Sequence, residues 1–293
     1  MSEPASEAAL PAQPWRAALF MAAAMLCFTC LDAILKSLVA THGLGMLVTV
    51  RNLVQVLLLA ALAPLFGVGT LRTRRFGFHL LRGACIAAST FLIVLALARL
   101  PMAQTYAITF SAPLMATLLA AIALHERPRP AQWVLIVAGF AGVLVALDPG
   151  APSFGPVLLL PLGMAAANAV FHVLTRYGGR DEAAMTLVFW GSAAALLWCL
   201  LGLPLYYESL PAGAIGLLVG AGTLGTLAHL FIAAAFRRAP TATVSPILYT
   251  QIIWAALVGY LAFGETPSAA SLLGGGIVAV SGIALVRVSA QPR

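Results

Sequence analysis

Charge is what this chain lacks most. Lys and Arg together number 16 and Asp and Glu only 9, which makes 9% of 293 residues. A soluble globular domain carries about 25% charged residues, so one this bare of charge is excluded. Within the long apolar runs, acidic groups nearly vanish, and Asp32 is the only one deep in such a run. An intramembrane hydrolase built on paired aspartates is therefore unsupported. One built on serine fares no better, because no G-x-S-G motif occurs. No P-loop is present, so ATP-driven transport would need a separate subunit. The four cysteines, Cys27, Cys30, Cys85 and Cys199, all sit in apolar runs. Cys27 and Cys30 form a C-x-x-C without a second pair, which reads as small buried hydrophobes rather than as a redox or metal site. No cofactor, metal centre or disulfide framework is expected. The residues up to Pro14, with Glu3 and Glu7, lack a basic n-region and a cleavage site. The first apolar segment is accordingly expected to remain in the mature chain.

What the chain has in abundance is apolar residues, at 62% of the sequence with a mean hydropathy of +1.01. A membrane span needs roughly 20 of them. Apolar runs separated by Gly and Pro breakers predict ten spans, near 15–39, 44–66, 78–98, 102–124, 131–147, 155–176, 183–203, 212–236, 242–263 and 268–287. The runs show no period-two alternation, which selects helices over a barrel. An all-α integral membrane protein follows, with the lipid bilayer as its first partner and no room for a soluble domain.

The net charge of +7 is spread singly or in short clusters near the ends of apolar runs. That is how topology determinants lie, and no basic stripe interleaved with aromatics speaks for nucleic acid. An even number of spans puts both termini on one side. If that side is the cytoplasm, the inner set is Arg16, Arg72, Arg74, Arg75, Arg82, Arg127, Arg129, Arg176, Arg180, Arg237, Arg238, Arg287 and Arg293. The outer set is Lys36, Arg51 and Arg99. The bias predicts cytoplasmic termini, with residues 1–14 and 289–293 as tails. Trp15, Trp133, Tyr206 and Tyr207 suit interfacial aromatic belts.

The sequence also repeats itself. Arg99, Pro101, Glu126 and Pro128 return as Arg238, Pro240, Glu265 and Pro267, and Gly142 returns as Gly282. At the same interval, Asp32 and Lys36 of the first span fall on His172 and Arg176 of the sixth. Two repeats of five helices, 15–149 and 155–288, are predicted. An odd number of helices per repeat turns the second copy upside down, an architecture of transporters that bind cargo near the midplane and alternate access by rocking.

Leu100-Pro101 through Glu126-x-Pro128 to Gly139 and Gly142 resembles the repeat unit of the EamA family of the drug/metabolite transporter superfamily. So does Pro240 through Tyr249-Thr250-Gln251 to Gly264-Glu265, then Gly274 to Gly282. The resemblance covers roughly 15 to 288. It implies a ten-helix carrier of the bacterial inner membrane whose cavity is lined mainly by the first, third, fourth, sixth, eighth and ninth helices. Branches of that family export amino acids and opine-type metallophores, and others import S-adenosylmethionine or riboflavin.

Ionisable groups inside a span are costly and usually face a cavity or a partner. Asp32 and Lys36 share one helix face. They read either as an intrahelical ion pair, with Lys36 snorkelling to the outer interface, or as a substrate-amine or proton site at Asp32. Asn168, His172 and Arg176 make a polar stripe on the sixth span. Arg176 reads as an interfacial anchor, and Asn168 and His172 as cavity lining. His229 in the eighth span matches Thr90 in the third. It reads equally as a buried histidine bonded to a neighbouring carbonyl and as part of the cavity. Tyr249, Thr250, Gln251 and Trp254 on the ninth span answer Tyr106, Thr109, Phe110 and Ser111 on the fourth, and such aromatic-polar clusters suit an organic-solute pocket or plain packing. Glu126 and Glu265 are expected to be structural, each capping the N-terminus of the helix after it. Gly220 to Gly225 fits G-x-G-x-x-G but lies inside an apolar helix. It reads as a close-packing surface, together with the G-x-x-x-G of Gly216 and Gly220.

Together these features predict a secondary transporter of a small organic metabolite, amino-acid-like or zwitterionic. Asp32, Thr90, Tyr106, Ser111, Asn168, His172, His229, Tyr249, Gln251 and Trp254 are the candidate contacts. Asp32, His172 and His229 are candidates for proton coupling. Export is the default direction, uptake the alternative and an intramembrane enzyme a distant third. A channel would call for rings of like charge, which are not evident. Nothing in the sequence fixes an oligomeric state.

Overall fold

The computed structural model describes residues 14–66, 72–123, 128–148, 154–178 and 182–290. They form ten successive helical spans. The first five are Pro14–Val39, Leu44–Leu62 continued by a 3-10 turn, Phe76–Leu97, the pair Met102–Thr109 and Ala112–Ala123, and Pro130–Ala146. The second five are Leu159–Gly178 behind a short 3-10 turn, Ala184–Tyr206, Ala212–Phe236, a bent span, and Ala269–Ala290. The bent ninth span consists of Thr241–Val244, the 3-10 turn Ser245–Tyr249 and Thr250–Phe263. Among the described residues nine helices are long and apolar enough to cross a membrane, and Pro130–Ala146 is shorter at 17 residues. At 1.5 Å per residue it still reaches about 25 Å, the lower end of what a span requires. The outward residues are apolar, as hydrocarbon demands: Leu57, Leu65, Ile122, Val137, Leu201, Leu261 and Val280 are all exposed.

With ten spans the chain starts and finishes on one face, called here the terminal face, and the opposite one is the distal face. The core is distributed unevenly between them. In the distal half a single cluster joins Leu31 and Leu35, Leu47 and Val48, Val94 and Leu97, Met102 and Ile108, Val143 and Ala146, and Leu218 and Ala221. Toward the terminal face it gives way to two separate clusters. One joins Ala17, Met21 and Met25 of the first span to Ala228, Ala235 and Val244 of the eighth and ninth. The other joins Leu114 of the fourth span, Ile136 of the fifth and Leu285 of the tenth.

The fourth and ninth spans break where this division begins, which hydropathy could not reveal. Pro113 removes a backbone donor and its ring crowds the carbonyl of residue 109, so the fourth helix stops at Thr109 and restarts at Ala112. Pro246 sits in the 3-10 turn of the ninth. The distal halves of these two spans pack on each other, and Met102 through Thr109 are all buried. Beyond the break, residues 112–123 pack against the sixth span and residues 241–249 against the first and tenth.

The helix interfaces carry the repeat in three dimensions. A Cβ on Gly83 would fall 2.5 Å from Cβ of Ala194, and one on Gly222 would fall 2.7 Å from Cβ of Val54. Residues 83 and 222 are 139 apart and residues 54 and 194 are 140 apart, so the same contact is made twice between the halves, each time with the roles of the two repeats exchanged. Gly216 and Gly220, by contrast, have nothing within 4 Å of a built Cβ. The close-packing surface of the eighth helix is therefore Gly222 and Gly225 rather than the G-x-x-x-G pair.

Candidate functional site

At the distal face, Gly264 ends the ninth span with φ 68°, a left-handed conformation that favours glycine. The turn folds Glu265 back over the bundle, and Gly259 leaves room for it, since a Cβ there would meet the carboxylate at 2.8 Å. One oxygen of Glu265 lies 2.5 Å from the Lys36 ammonium. The other accepts the backbone N–H of Met102 at 2.7 Å. Lys36 also donates to the Leu100 carbonyl at 2.8 Å. Glu265 thus caps a helix, but it is the fourth span of the opposite repeat rather than the tenth span that follows it. The reason is that the turn at Gly264 aims the carboxylate inward, onto the free N–H groups exposed after Pro101. Lys36 is bound here rather than snorkelling outward, and it does not pair with Asp32. Glu126 lies outside the described residues.

One turn deeper, the Tyr106 hydroxyl donates to the Asp32 carboxylate, joining the first and fourth spans. Gln251 lies near the same hydroxyl. Phe110 bridges two tyrosines, with ring centroids 6.3 Å from Tyr106 and 5.0 Å from Tyr249. Buried polar atoms are nearly always paired, yet Ser111 Oγ, the Tyr249 hydroxyl and Trp254 Nε1 have no partner among the described residues. Asp32, Tyr106 and Tyr249, linked through Phe110, therefore meet near the breaks of the fourth and ninth spans, with Ser111 and Gln251 close by in sequence, whereas Trp254 packs against the cluster that holds Ala17, Met21 and Ala228. Several of these groups have hydrogen bonds still to offer.

The sequence-derived site omits the second span, and the structure adds it. Arg51, counted among the outer topology charges, is buried at 7% exposure. Its Nη1 donates to Asn52 Oδ1 at 3.0 Å and its Nη2 to Gln55 Oε1 at 3.1 Å. Asp32 and His229 lie within electrostatic reach of it. The His229 ring stands edge-on to Phe28 at 5.4 Å. The missed signal was Arg51-Asn52-x-x-Gln55 inside an apolar run, three polar groups at helical spacing where a topology charge would have stood alone.

Among the described residues no hydrogen bond or ring contact ties the other predicted residues to this cluster. Thr90 returns its hydroxyl to the Ile86 carbonyl of its own helix at 2.9 Å. Among the described residues Asn168 reaches only the Met164 sulfur, at 3.9 Å. His172 is exposed, its ring 5.5 Å from Phe171, and Arg82 is within electrostatic reach. The sixth span, which carries both, packs on the third and fourth. Arg82, also counted as a topology charge, is buried at 3%. Tyr206, at the distal end of the seventh span, bonds the Cys199 carbonyl through its hydroxyl and sits 3.3 Å from Thr49 Oγ1.

Comparison with known proteins gives this arrangement a context. The chain is 31% identical over 92% of its length to a riboflavin transporter of Vibrio cholerae, covering 92% of that protein. It is 26% identical over 73% of its length to an S-adenosylmethionine uptake transporter of Rickettsia conorii, covering 72% of it. A pseudopaline exporter of Pseudomonas aeruginosa is 26% identical over 89% of the chain and 92% of the exporter. The relatives' names differ in cargo and in direction, and agree on carriage of a small metabolite. The model of the EamA-like transporter family matches residues 15–147 and again 155–288, one inverted repeat each, and the chain belongs to that family.

Proposed function

We propose that this small-metabolite transporter carries an amino-acid-like, zwitterionic solute by alternating access of its two repeats, with export as the working direction. The observation that carries the reading is the uneven core. One hydrophobic cluster closes the distal half, two clusters stand apart toward the terminal face, and the polar groups lie at the level of the division. A carrier resting with its cavity open to one side has this form. With the termini in the cytoplasm, as the arginine bias favours, the open side is the cytoplasmic one and the Lys36–Glu265–Met102 tie holds the outer side shut. Cargo chemistry follows from the two charge signs at Asp32 and Arg51, flanked by Tyr106, Phe110 and Tyr249. Uptake is the second reading, favoured by the S-adenosylmethionine relative.

Counterflow in proteoliposomes tests the cargo class. Labelled amino acids, S-adenosylmethionine and riboflavin are presented in turn, and at least one zwitterion is expected to exchange. A flat response to all of them would sink the cargo class. Sidedness of uptake in oriented vesicles decides direction. Asp32, His172 and His229 are the proposed sites of proton coupling. If replacing all three leaves the pH dependence of transport unchanged, coupling through them is ruled out.

A further inference from the structure

We propose that Arg51 is the receptor for a carboxylate on the transported solute, with Asp32 facing the solute's ammonium group; this rests on the carrier reading above and deepens it. Arg51 comes from the second span, which the family resemblance does not count among the main cavity-lining helices.

Arg51 lies seven residues into its helix, about 10 Å below the distal end at 1.5 Å per residue. A guanidinium presents five N–H donors in a fixed plane. Two of them are used, on the side-chain oxygens of Asn52 and Gln55. Nε has no partner among the described residues. Among those residues no carboxylate lies within ion-pair distance of Arg51, and the nearby Asp32 accepts from Tyr106 instead. A buried cation left with neutral amides and an open Nε–H edge is costly to a fold. That edge is the geometry that takes a carboxylate in two parallel bonds.

Its surroundings hold this edge ready. Asn52 donates to Cys199 Sγ at 3.6 Å and Gln55 to Ser192 Oγ at 3.1 Å, so the seventh span pins both amides with their oxygens toward the guanidinium. On the other side stands Gly225 of the eighth span. A Cβ there would come 2.8 Å from Gln55 Oε1 and 3.5 Å from Arg51 Nη2. The helix therefore approaches closely while adding no side chain beside the cation. Asp32 is half-buried and lies within electrostatic reach of Arg51. One cation and one anion, both held by neutral neighbours, complement a molecule carrying the opposite pair. Riboflavin has neither an ionised carboxylate nor an ammonium group and does not fit this pair.

The test uses the full-length protein in proteoliposomes and counterflow of the twenty amino acids, S-adenosylmethionine and riboflavin. Each amino-acid substrate found is then compared with its methyl ester, which lacks the carboxylate charge. The expected result is a loss of tenfold or more on esterification in the wild-type protein. Arg51→Gln should lower exchange of the free acid by a similar factor and leave the ester at its wild-type rate, and Arg51→Lys should restore part of the difference. The ester comparison in wild type needs no variant, so a poorly folding Arg51→Gln does not remove the test. An ester exchanged as well as its acid would overturn the proposal and leave the zwitterion carrier standing; exchange of riboflavin alone would overturn the proposal and the zwitterionic cargo together, leaving a carrier of another small metabolite. Silence of the whole panel would overturn both.

Discussion

Arg51 and Arg82 invite comparison because the inverted repeat gives them similar settings. Arg51 lies seven residues below the distal end of its helix, and Arg82 lies six residues above the terminal end of its own. Both are buried, and each guanidinium stands beside a glycine of a facing helix, Gly225 for Arg51 and Gly191 for Arg82. Their partners differ. Arg82 donates through Nε to Thr175 Oγ1 at 3.0 Å and through Nη1 to the Leu187 carbonyl at 3.2 Å. It also lies between the rings of Phe78 and Phe171, at 5.5 and 4.9 Å. His79 next to it bonds Glu182 at 2.7 Å, and Glu182 in turn accepts from Thr73 at 2.6 Å. Arg82 is embedded in a network that joins the third, sixth and seventh spans. Arg51 has two amide oxygens and a free edge. Burial alone does not mark a site in a membrane protein; burial with hydrogen bonds left over does.

The largest expected effect follows from removing the well-partnered arginine. Arg82→Ala strips a buried network of its cation, a change that typically costs about 3–5 kcal/mol. A large drop in the thermal melting of the purified protein is expected, whereas Arg51→Gln should melt near wild type. Equal losses from the two would erase the distinction drawn between them.

Next in size are the paired glycines. A Cβ on Gly83 meets two backbone atoms, of Ala194 and Ala195, at 2.6 and 2.7 Å, while one on Gly222 meets the Val54 side chain at 2.7 Å and a single backbone atom, the Arg51 carbonyl oxygen, at 2.9 Å. Backbone cannot yield as a side chain can, so Gly83→Ala should destabilise more than Gly222→Ala, within the roughly 1–3 kcal/mol of overpacking. Thermal unfolding of the two variants side by side decides the order.

Smaller still is the distal tie. Glu265→Gln keeps the shape of the cap on Met102 and discharges the partner of Lys36, whose ion pair is only partly exposed. A loss of about 1 kcal/mol would shift a two-state equilibrium roughly fivefold toward the distally open form. Increased thiol labelling of a cysteine placed at Met102 would report it, and unchanged labelling would mean the tie does not hold the face shut. Least of all should follow from Gly216→Ala and Gly220→Ala, where nothing stands near the added methyl. Both should melt within about 0.5 kcal/mol of wild type or slightly above it, alanine being the better helix former.

Much of this architecture was legible before any coordinates. Hydropathy gave ten spans, because a helix in hydrocarbon has to be apolar over its whole length. The recurring Arg, Pro, Glu and Pro gave the two halves. Of the predicted contacts, Asp32, Tyr106 and Tyr249 are linked through one hydrogen bond and the Phe110 ring, and their role in binding cargo is the proposal made above. Arg51 was misplaced because charge counting treats every basic residue near a helix end as a topology signal. A residue seven positions in can be either interfacial or buried, depending on which way its helix is turned. Glu265 was assigned the wrong helix for a related reason. Sequence proximity favoured the next N-terminus, while a left-handed turn at Gly264 delivered the carboxylate to another.

By itself, then, the sequence determined that this chain lies in a membrane, how many times it crosses and that its halves are inverted copies. Those properties rest on composition and spacing, which are linear quantities. Only the tertiary structure decided which polar groups share a neighbourhood, in which half the core is continuous and which arginine keeps a hydrogen-bonding edge open. Those depend on helix rotation, on two proline breaks and on glycines that let backbones approach, and so on contacts between residues 64 or more positions apart, such as Lys36 with Leu100, Asp32 with Tyr106 and Gln55 with Ser192.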